Sequence, residues 1–301
     1  MEASFLSSSM ELKNWIILIA LAAVWGSAFM FIKIAAPDFG PVALVNLRLL
    51  LAGTMFLPFL LQRKYLIHFK SYLPGILVLA VMNNALPFFL FAYGSLNANS
   101  NMLAILNGST AFMTMTLAYF WIKESISAHQ IIGLVIGFIG IIILVNPSNT
   151  STTAISSIAC LLGAFCYSFS GCFIQKYSQY TNKFVLIGWS LFFGGLLMTP
   201  FSIFYLPSDL PETKSILALL WLGLVSTGIA YLGYVRLIET IGALKTSTVA
   251  YLIPVFGIIW GYLFLKEEVT IVIFLGFILI MAGIYFANYE KRTTRRIRTS
   301  E

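Results

Sequence analysis

The chain has 301 residues, of which 59% are hydrophobic and only 10% are charged, and its formal net charge is +7. Soluble domains carry about 25% charged residues, so the composition excludes an ordinary water-soluble protein and indicates that most of the surface faces lipid. Membrane orientation explains the basic excess better than nucleic-acid binding does.

Ten apolar runs follow one another, each near the roughly 20 residues that cross a bilayer core as a helix. They are continuously apolar, without the alternation of barrel strands, which predicts helices. The sequence thus predicts an all-α membrane protein with ten transmembrane helices. These lie at about residues 15–35, 44–61, 72–91, 101–121, 130–145, 154–174, 184–205, 216–237, 247–264 and 269–287. A cleaved signal peptide is the alternative for the first run, which is too long and lacks a preceding basic cluster.

The basic residues predict the orientation of these runs. With the N-terminus in the cytoplasm, fourteen of the eighteen Lys and Arg residues fall in cytoplasmic segments, as the positive-inside rule requires. We therefore predict an inner-membrane, multi-pass protein with both termini cytoplasmic, residues 1–14 forming an N-terminal segment and residues 289–301 a basic tail. The tail also suits anionic lipid headgroups.

The stretch at residues 111–140 returns in degraded form at residues 254–283. A shift of 143 residues, without a gap, keeps five identities in register. The pairs are Tyr119 with Tyr262, Lys123 with Lys266, Glu124 with Glu267, Gly133 with Gly276 and Gly140 with Gly283. A period near half the chain length indicates two related halves instead of a solenoid.

Five predicted spans separate corresponding positions, and because five is odd the two copies cross the membrane in opposite senses. Residues 15–146 and 154–288 are therefore predicted to be two inverted-topology repeats of five helices each. This architecture allows one central site to face either side alternately.

Three short motifs give the chain a resemblance to a known family. Trp25-Gly26-Ser27, the segment at residues 46–50 and the stretch from Pro254 to Glu267 resemble the EamA-type, ten-helix drug/metabolite transporters. The resemblance implies a bundle of spans one to four and six to nine, with spans five and ten outside it and the ligand between the halves. Family members export amino acids and other metabolites or import small nutrients. Both corners of this chain carry Lys before Glu, where the family usually has Gly-Glu.

Polar residues near the middle of the spans are candidate substrate-binding groups, because buried polar side chains need partners or a wet cavity. The 143-residue shift carries Asn83-Asn84 onto Ser226-Thr227. Asn107 adds an amide in the fourth span. Hydrogen bonding between helices is the alternative role for all of them.

Aromatic residues within spans are further candidates for the cavity wall, with lipid-facing packing as the alternative; those assigned to the site are Trp25, Tyr167, Tyr231 and Tyr251. Pro87 and Pro254 are predicted gating kinks, since proline frees backbone carbonyls. Arg48 is a candidate partner for a substrate carboxylate. It could equally snorkel to the outer interface or cap a neighbouring helix.

Chemistry-bearing residues are scarce in the predicted spans. Every acidic residue lies at a span end, loop or tail, and His68 and His129 form no constellation with an acid. We therefore predict no enzyme activity, no metal and no cofactor. Gly133 and Gly137 form a GxxxG motif for close helix packing, within the fold or in a homodimer.

The sequence as a whole predicts a secondary transporter of a small metabolite, with amino acid or similar zwitterion efflux leading. Proton or counter-substrate coupling stays open. The alternatives are import of a quaternary amine or nucleobase, and a membrane enzyme or lipid-handling protein.

Overall fold

The structure, a computed structural model, describes residues 11–66, 69–123, 127–145, 152–177, 182–241, 246 and 249–288. Every regular element within these ranges is helical. In chain order the helices are α1 (Leu12–Leu60), α2 (Arg63–Leu66), α3 (Phe69–Ser95), α4 (Ser100–Ile122), α5 (Ala128–Val145), α6 (Ala154–Tyr177), α7 (Lys183–Tyr205), α8 (Thr213–Ile241), α9 (Val249–Leu265) and α10 (Ile271–Asn288). Glu124 and His68 lie outside the described residues.

Six of these helices are long and apolar enough to cross a membrane, namely α1, α3, α4, α6, α7 and α8. Only about half of each apolar stretch is buried inside the protein, so the other half suits contact with lipid. The helices α5, α9 and α10 are apolar but shorter. The predicted all-helical membrane fold is confirmed, and the protein is a multi-pass membrane protein.

Helix α1 consists of two helical arms that meet at Gly40, one arm for each of the first two predicted spans. Its 49 residues would reach about 74 Å as a straight rod, more than twice the thickness of a bilayer core. The backbone bends at Gly40, where φ is 70° and ψ is 155°, a conformation that glycine adopts without steric cost. Pro41 then suits the first turn of the second arm. The arms are residues 12–39 and 41–60, so the connection predicted between residues 35 and 44 shrinks to one residue.

Two helices widen into π-helical segments at matching places. One segment covers Ala80–Ala85 in α3 and the other Trp221–Ile229 in α8, and the 143-residue shift places the first inside the second. Both segments contain one of the predicted polar pairs. Because π-helical turns are rare and recur at functional sites, they draw attention to the space between α3 and α8.

Glycines bring α5 and α10 into direct backbone contact. A methyl group added to Gly140 would lie 3.0 Å from the carbonyl oxygen of Gly276, and one added to Gly283 would lie 2.6 Å from that of Gly133. The 143-residue shift relates Gly140 to Gly283 and Gly133 to Gly276. The contact of Gly140 with Gly276 therefore corresponds to the contact of Gly283 with Gly133. We call this contact the glycine seam. The GxxxG motif therefore packs inside this chain, where Gly137 also lies against Phe112.

The two Lys-Glu corners share an unusual backbone conformation. Lys123 has a φ of 66° and Lys266 a φ of 53°, and they are the only non-glycine residues with positive φ in the described part of the chain. Glycine favours this left-handed region, whereas other residues pay roughly 1–2 kcal/mol for it. At both corners the family that the chain resembles usually has Gly. The Lys found there in this chain adopts the left-handed conformation that glycine favours.

Two apolar cores flank the middle of the bundle. One is built mainly from α1, α3, α7 and α8, and the other mainly from α4, α5, α6, α9 and α10. Tyr167 packs against both cores, and Trp25 packs between the second core and a smaller third one. The space between the cores is where the candidate site lies.

Candidate substrate-binding site

A cavity of about 530 Å³ lies between the two cores, a volume within the usual range for small-molecule sites. Its wall is mostly apolar, with a few polar groups and many aromatic rings. The polar and aromatic lining residues are Arg48, Asn83, Asn107, Thr110, Thr114, Ser226, Trp25, Phe29, Phe88, Phe91, Tyr167, Tyr231, Tyr234 and Tyr251. A large apolar space with a few convergent polar groups is the usual form of a binding site.

Arg48 brings a positive charge into this wall from the second arm of α1. Only 6% of the residue is exposed. Its Nε donates a hydrogen bond to Thr227 Oγ1 at 2.9 Å, and its Cζ lies 3.9 Å from the centroid of the Phe88 ring. The structure pairs it with no carboxylate among the described residues, where the single ion pair joins the exposed Lys214 and Glu212. The side chain thus points inward instead of snorkelling to the membrane surface.

In the polar pair of α3, Asn83 and Asn84, one side chain lines the cavity and the other packs between helices behind the cavity wall. Asn83 lines the cavity and donates through Nδ2 to Tyr231 Oη at 3.2 Å. Asn84 is fully buried and donates to Ser190 Oγ on α7 at 2.9 Å. One amide therefore faces the cavity, while the other joins two helices.

The polar pair in α8 divides in the same way. Ser226 lines the cavity, and its carbonyl oxygen accepts a hydrogen bond from Trp25 Nε1 at 3.1 Å. Thr227 lies behind the wall, where its hydroxyl donates to the Leu222 carbonyl at 2.7 Å and accepts the bond from Arg48. Thr227 thus positions Arg48.

Aromatic rings form the remaining wall. Trp25 contacts Tyr231 and Tyr234, with ring centroids 6.0 Å and 5.3 Å away. Tyr167 stacks on Phe91 at 6.0 Å, and Tyr251 lines the cavity without a ring partner among the described residues. Tyr234 was not predicted, although it follows Tyr231 by three residues and therefore shares its helix face.

Helix α4 supplies two polar side chains that have no hydrogen-bond partner in the described part of the chain. The Asn107 amide lines the cavity and makes no hydrogen bond within the described residues. Thr110 also lines it, and its buried hydroxyl has no partner there. Ser109, by contrast, bonds back to the carbonyl of Leu106 at 2.6 Å.

Neither predicted proline kink interrupts its helix. Pro87 lies in the first turn of the α-helical segment that follows the π-helix of α3, where proline is well tolerated. Pro254 lies within α9; it packs near Gly108 of α4. A gating role for either proline stays a prediction.

The sequence model of the EamA-like transporter family matches residues 13–146 and, a second time, residues 154–289. The chain belongs to the EamA-like transporter family. This confirms the resemblance drawn from the three short motifs. Membership of this family indicates a transporter rather than an enzyme.

Relatives of this EamA-like transporter cover it almost completely. It is 24% identical over 278 residues to the uncharacterized transporter YoaV of Bacillus subtilis, covering 90% of this chain and 95% of that protein. It is 22% identical to the probable amino-acid metabolite efflux pump of Escherichia coli, covering 96% and 99%. A crystal structure matches with a TM-score of 0.65 at 15% identity, covering 93% and 97%, which supports the fold alone.

In the EamA-like transporter, Glu267 joins the corner after α9 to the start of α4. Its carboxylate accepts hydrogen bonds from the backbone N–H groups of Ser100 and Asn101, at 2.7 and 3.0 Å, and from Ser100 Oγ at 3.0 Å. It thereby caps the N-terminus of α4. Lys33 Nζ donates to the Ser95 carbonyl nearby at 2.7 Å. We call this cluster the Glu267 end.

The cavity lining on two helices, α4 and α9, lies toward the opposite end of the bundle. Helix α9 lines it with Val249, Tyr251 and Ile253, at the start of a helix that finishes beside Glu267 at Leu265. Along α4 the lining begins at Asn107, about 10 Å beyond Ser100 at 1.5 Å per residue. On α4 and α9 the lining therefore lies away from the Glu267 end, whereas on α1 and α3 it extends to Ile32 and Phe91, within about one turn of Lys33 and Ser95.

Alanine at Asn83 and at Asn84 should have different consequences, although the residues are adjacent. Asn84→Ala leaves the Ser190 hydroxyl without its donor and opens a buried gap, so we expect a loss of about 1–3 kcal/mol in stability. Asn83→Ala should lower transport, because its amide faces the cavity, and it should cost less stability than Asn84→Ala, because it removes a donor from Asn84 Oδ1 (3.1 Å) but opens no gap between α3 and α7. Thermal unfolding and transport of both variants, measured in parallel, check this. Equal unfolding temperatures for the two variants would contradict it.

Proposed function

We propose that this EamA-like transporter is a secondary transporter that moves a small metabolite across the inner membrane by alternating access. An amino acid or a similar carboxylate-bearing metabolite, carried outward, is the leading substrate class. The observation that supports this most directly is the cavity of about 530 Å³, whose wall combines one buried cation, two amide groups and many aromatic rings.

The proposal includes ten membrane crossings, formed by the two arms of α1 and by α3 to α10. Three features support an inverted repeat of residues 15–146 and 154–288. They are the matching π-helical segments, the matching left-handed lysines and the reciprocal glycine seam. The two separate family matches agree with two such halves.

Orientation follows from the basic residues, most of which fall on one side of this topology. With both termini cytoplasmic, the Glu267 end faces outward, and the cavity lining on α4 and α9 lies toward the cytoplasm. The described conformation is then an inward-facing one, ready to receive a metabolite from the cell. The amino-acid metabolite efflux named for the Escherichia coli relative fits this direction.

The competing functions fit the cavity less well. A quaternary amine would suit the aromatic rings, but Arg48 repels a cation. An enzyme needs groups for acid, base or nucleophilic chemistry, and within the described part of the chain no His, Cys, Asp or Glu lines the cavity. Transport of a metabolite that carries negative charge on a carboxylate therefore remains the best account.

Counterflow in proteoliposomes tests the proposal. The purified protein should exchange labelled amino acids against an internal pool with saturating kinetics, and an imposed proton gradient reports coupling. Tyr251→Ala should lower exchange, because Tyr251 lines the cavity. Tyr262→Ala on the same helix is the matched control, since Tyr262 is 59% exposed on the outer surface. Absence of exchange for every amino acid and deaminated acid tested, or equal loss in both variants, would overturn the proposal.

A further inference from the structure

We infer that the cavity recognises its ligand by a carboxylate held at Arg48, and that an ammonium group on the ligand contributes nothing to binding. The ligand class is then an apolar monocarboxylate, with or without an α-amino group. This inference rests on the proposed function and specifies what the cavity selects.

The charge of the wall is the first reason. Arg48 is the only charged residue among the described residues that line the cavity. A buried cation without a counter-charge is costly, and no described residue forms an ion pair with it. A ligand carboxylate would supply the missing charge, whereas an amide, an amine or a neutral solute would leave the cation unpaired.

The free donors of Arg48 are the second reason. A guanidinium group carries five N–H donors, and here only Nε is engaged, with Thr227 Oγ1. The two terminal nitrogens have no hydrogen-bond partner within the described residues, and the residue lines the cavity. Two parallel N–H groups in this arrangement match the two oxygens of a carboxylate.

The contacts behind Arg48 fix it in place. The Thr227 hydroxyl is committed to the Leu222 carbonyl as a donor, so it can act only as an acceptor toward Arg48 Nε. Phe88 lies against the guanidinium carbon at 3.9 Å. A pre-positioned cation loses little freedom when its ligand arrives, which makes Thr227 a positioning residue.

No group in the wall is suited to an ammonium ion in the way that Arg48 suits a carboxylate. The described residues that line the cavity include no acid, and the side-chain oxygens of Asn83 and Asn107 are uncharged. An α-ammonium lies within a few ångströms of the α-carboxylate, so it would also lie close to the cation of Arg48. Removing the amino group should therefore leave binding as tight or make it tighter.

Four ligands that share one phenyl body separate these contributions. They are 3-phenylpropionate, phenylalanine, 3-phenylpropanamide and 2-phenylethylamine, titrated at pH 7 into the full-length protein in lipid nanodiscs by calorimetry. We expect 3-phenylpropionate to bind at least as tightly as phenylalanine and about tenfold or more tighter than the amide. The amine should bind most weakly. Phenylalanine binding tenfold tighter than 3-phenylpropionate, equal binding of acid and amide, or no binding by any of the four would overturn the inference.

Variants test the residue assignment. Arg48→Gln should bring 3-phenylpropionate down to the affinity of the amide and leave the amide unchanged. Thr227→Val removes the hydroxyl that accepts from Arg48 Nε and donates to the Leu222 carbonyl. It should weaken binding of the acid several-fold and leave binding of the amide unchanged, and it provides the test if Arg48→Gln does not fold. Lys214→Gln, which removes an exposed cation outside the cavity, should leave the acid-to-amide ratio as it was. A constant ratio in Arg48→Gln and Thr227→Val would overturn the assignment.

Counterflow of the same four ligands distinguishes the inference from the proposed function. If the amide exchanges as fast as the acid, the protein is a transporter but does not select a carboxylate. Binding of the acid that depends on Arg48, with no exchange of any ligand, would keep the inference and remove the transport proposal.

Discussion

Replacing Gly283 with alanine is expected to force α10 away from α5 and to destabilise the protein. The added methyl group would lie 2.6 Å from Gly133 O, 2.8 Å from Gly137 N and 2.9 Å from Gly137 Cα. All three atoms belong to backbone, so no side-chain rotation relieves the overlap. Overpacking of this kind costs about 1–3 kcal/mol, which exceeds the intrinsic helix preference for alanine of about 1 kcal/mol.

Gly233→Ala is the matched control, because nothing lies within 4 Å of a methyl group added at Gly233 of α8. That variant should keep or slightly raise the unfolding temperature. Thermal unfolding of the two variants, followed by the loss of monodisperse protein in detergent, compares them directly. If Gly283→Ala unfolds at or above the temperature of Gly233→Ala, the glycine seam does not hold α5 and α10 together.

Removing the carboxylate of Glu267 should open the Glu267 end of the bundle. Glu267→Ala leaves two backbone N–H groups of α4 without partners, and each unsatisfied buried donor costs about 1–3 kcal/mol. The closed arrangement of α4 against the corner after α9 would lose that stabilisation. The end should therefore open at least tenfold more often, since 1.4 kcal/mol corresponds to a factor of ten.

A cysteine placed at Ala98 reports this opening, because Ala98 is only 3% exposed and lies between α3 and α4. The three native cysteines are buried in α6 and are replaced by alanine for this experiment. Labelling by a membrane-impermeant maleimide should be faster in Glu267→Ala. It should not change in Glu268→Ala, because the neighbouring Glu268 side chain is exposed. Equal labelling rates in the two variants would show that the Glu267 carboxylate does not hold this end closed.

Hydropathy predicted the helical membrane fold because long apolar runs have few alternatives in lipid. It did not predict that the connection between the two arms of α1 is a single residue, Gly40. Pro37 and Pro41 both lie inside that helix, and each normally marks an end. Whether the chain stops at Pro37 or bends at Gly40 depends on tertiary packing, here the burial of Ala36 and Phe39 against the first core, which sequence alone does not report.

The sequence predicted how far along each helix the candidate site residues lie. It did not predict which side of the helix their side chains face. The two polar pairs lie in π-helical segments, where the number of residues per turn differs from that of an α-helix. Helical periodicity therefore gave no reliable choice between Asn83 and Asn84, or between Ser226 and Thr227. Arg48 stayed open for a similar reason, because its direction depends on Thr227 and Phe88, which are distant in sequence.

The glycine seam carries a consequence for the origin of the chain. Gly140 of α5 contacts Gly276 of α10, and Gly283 of α10 contacts Gly133 of α5. The same contact is therefore made twice, with α5 and α10 exchanged. Two identical subunits related by a two-fold axis make contacts of this reciprocal kind. A half-length ancestor with a single pair of such glycines would already have possessed both contacts as a homodimer, and gene fusion would then have joined two partners whose interface existed beforehand.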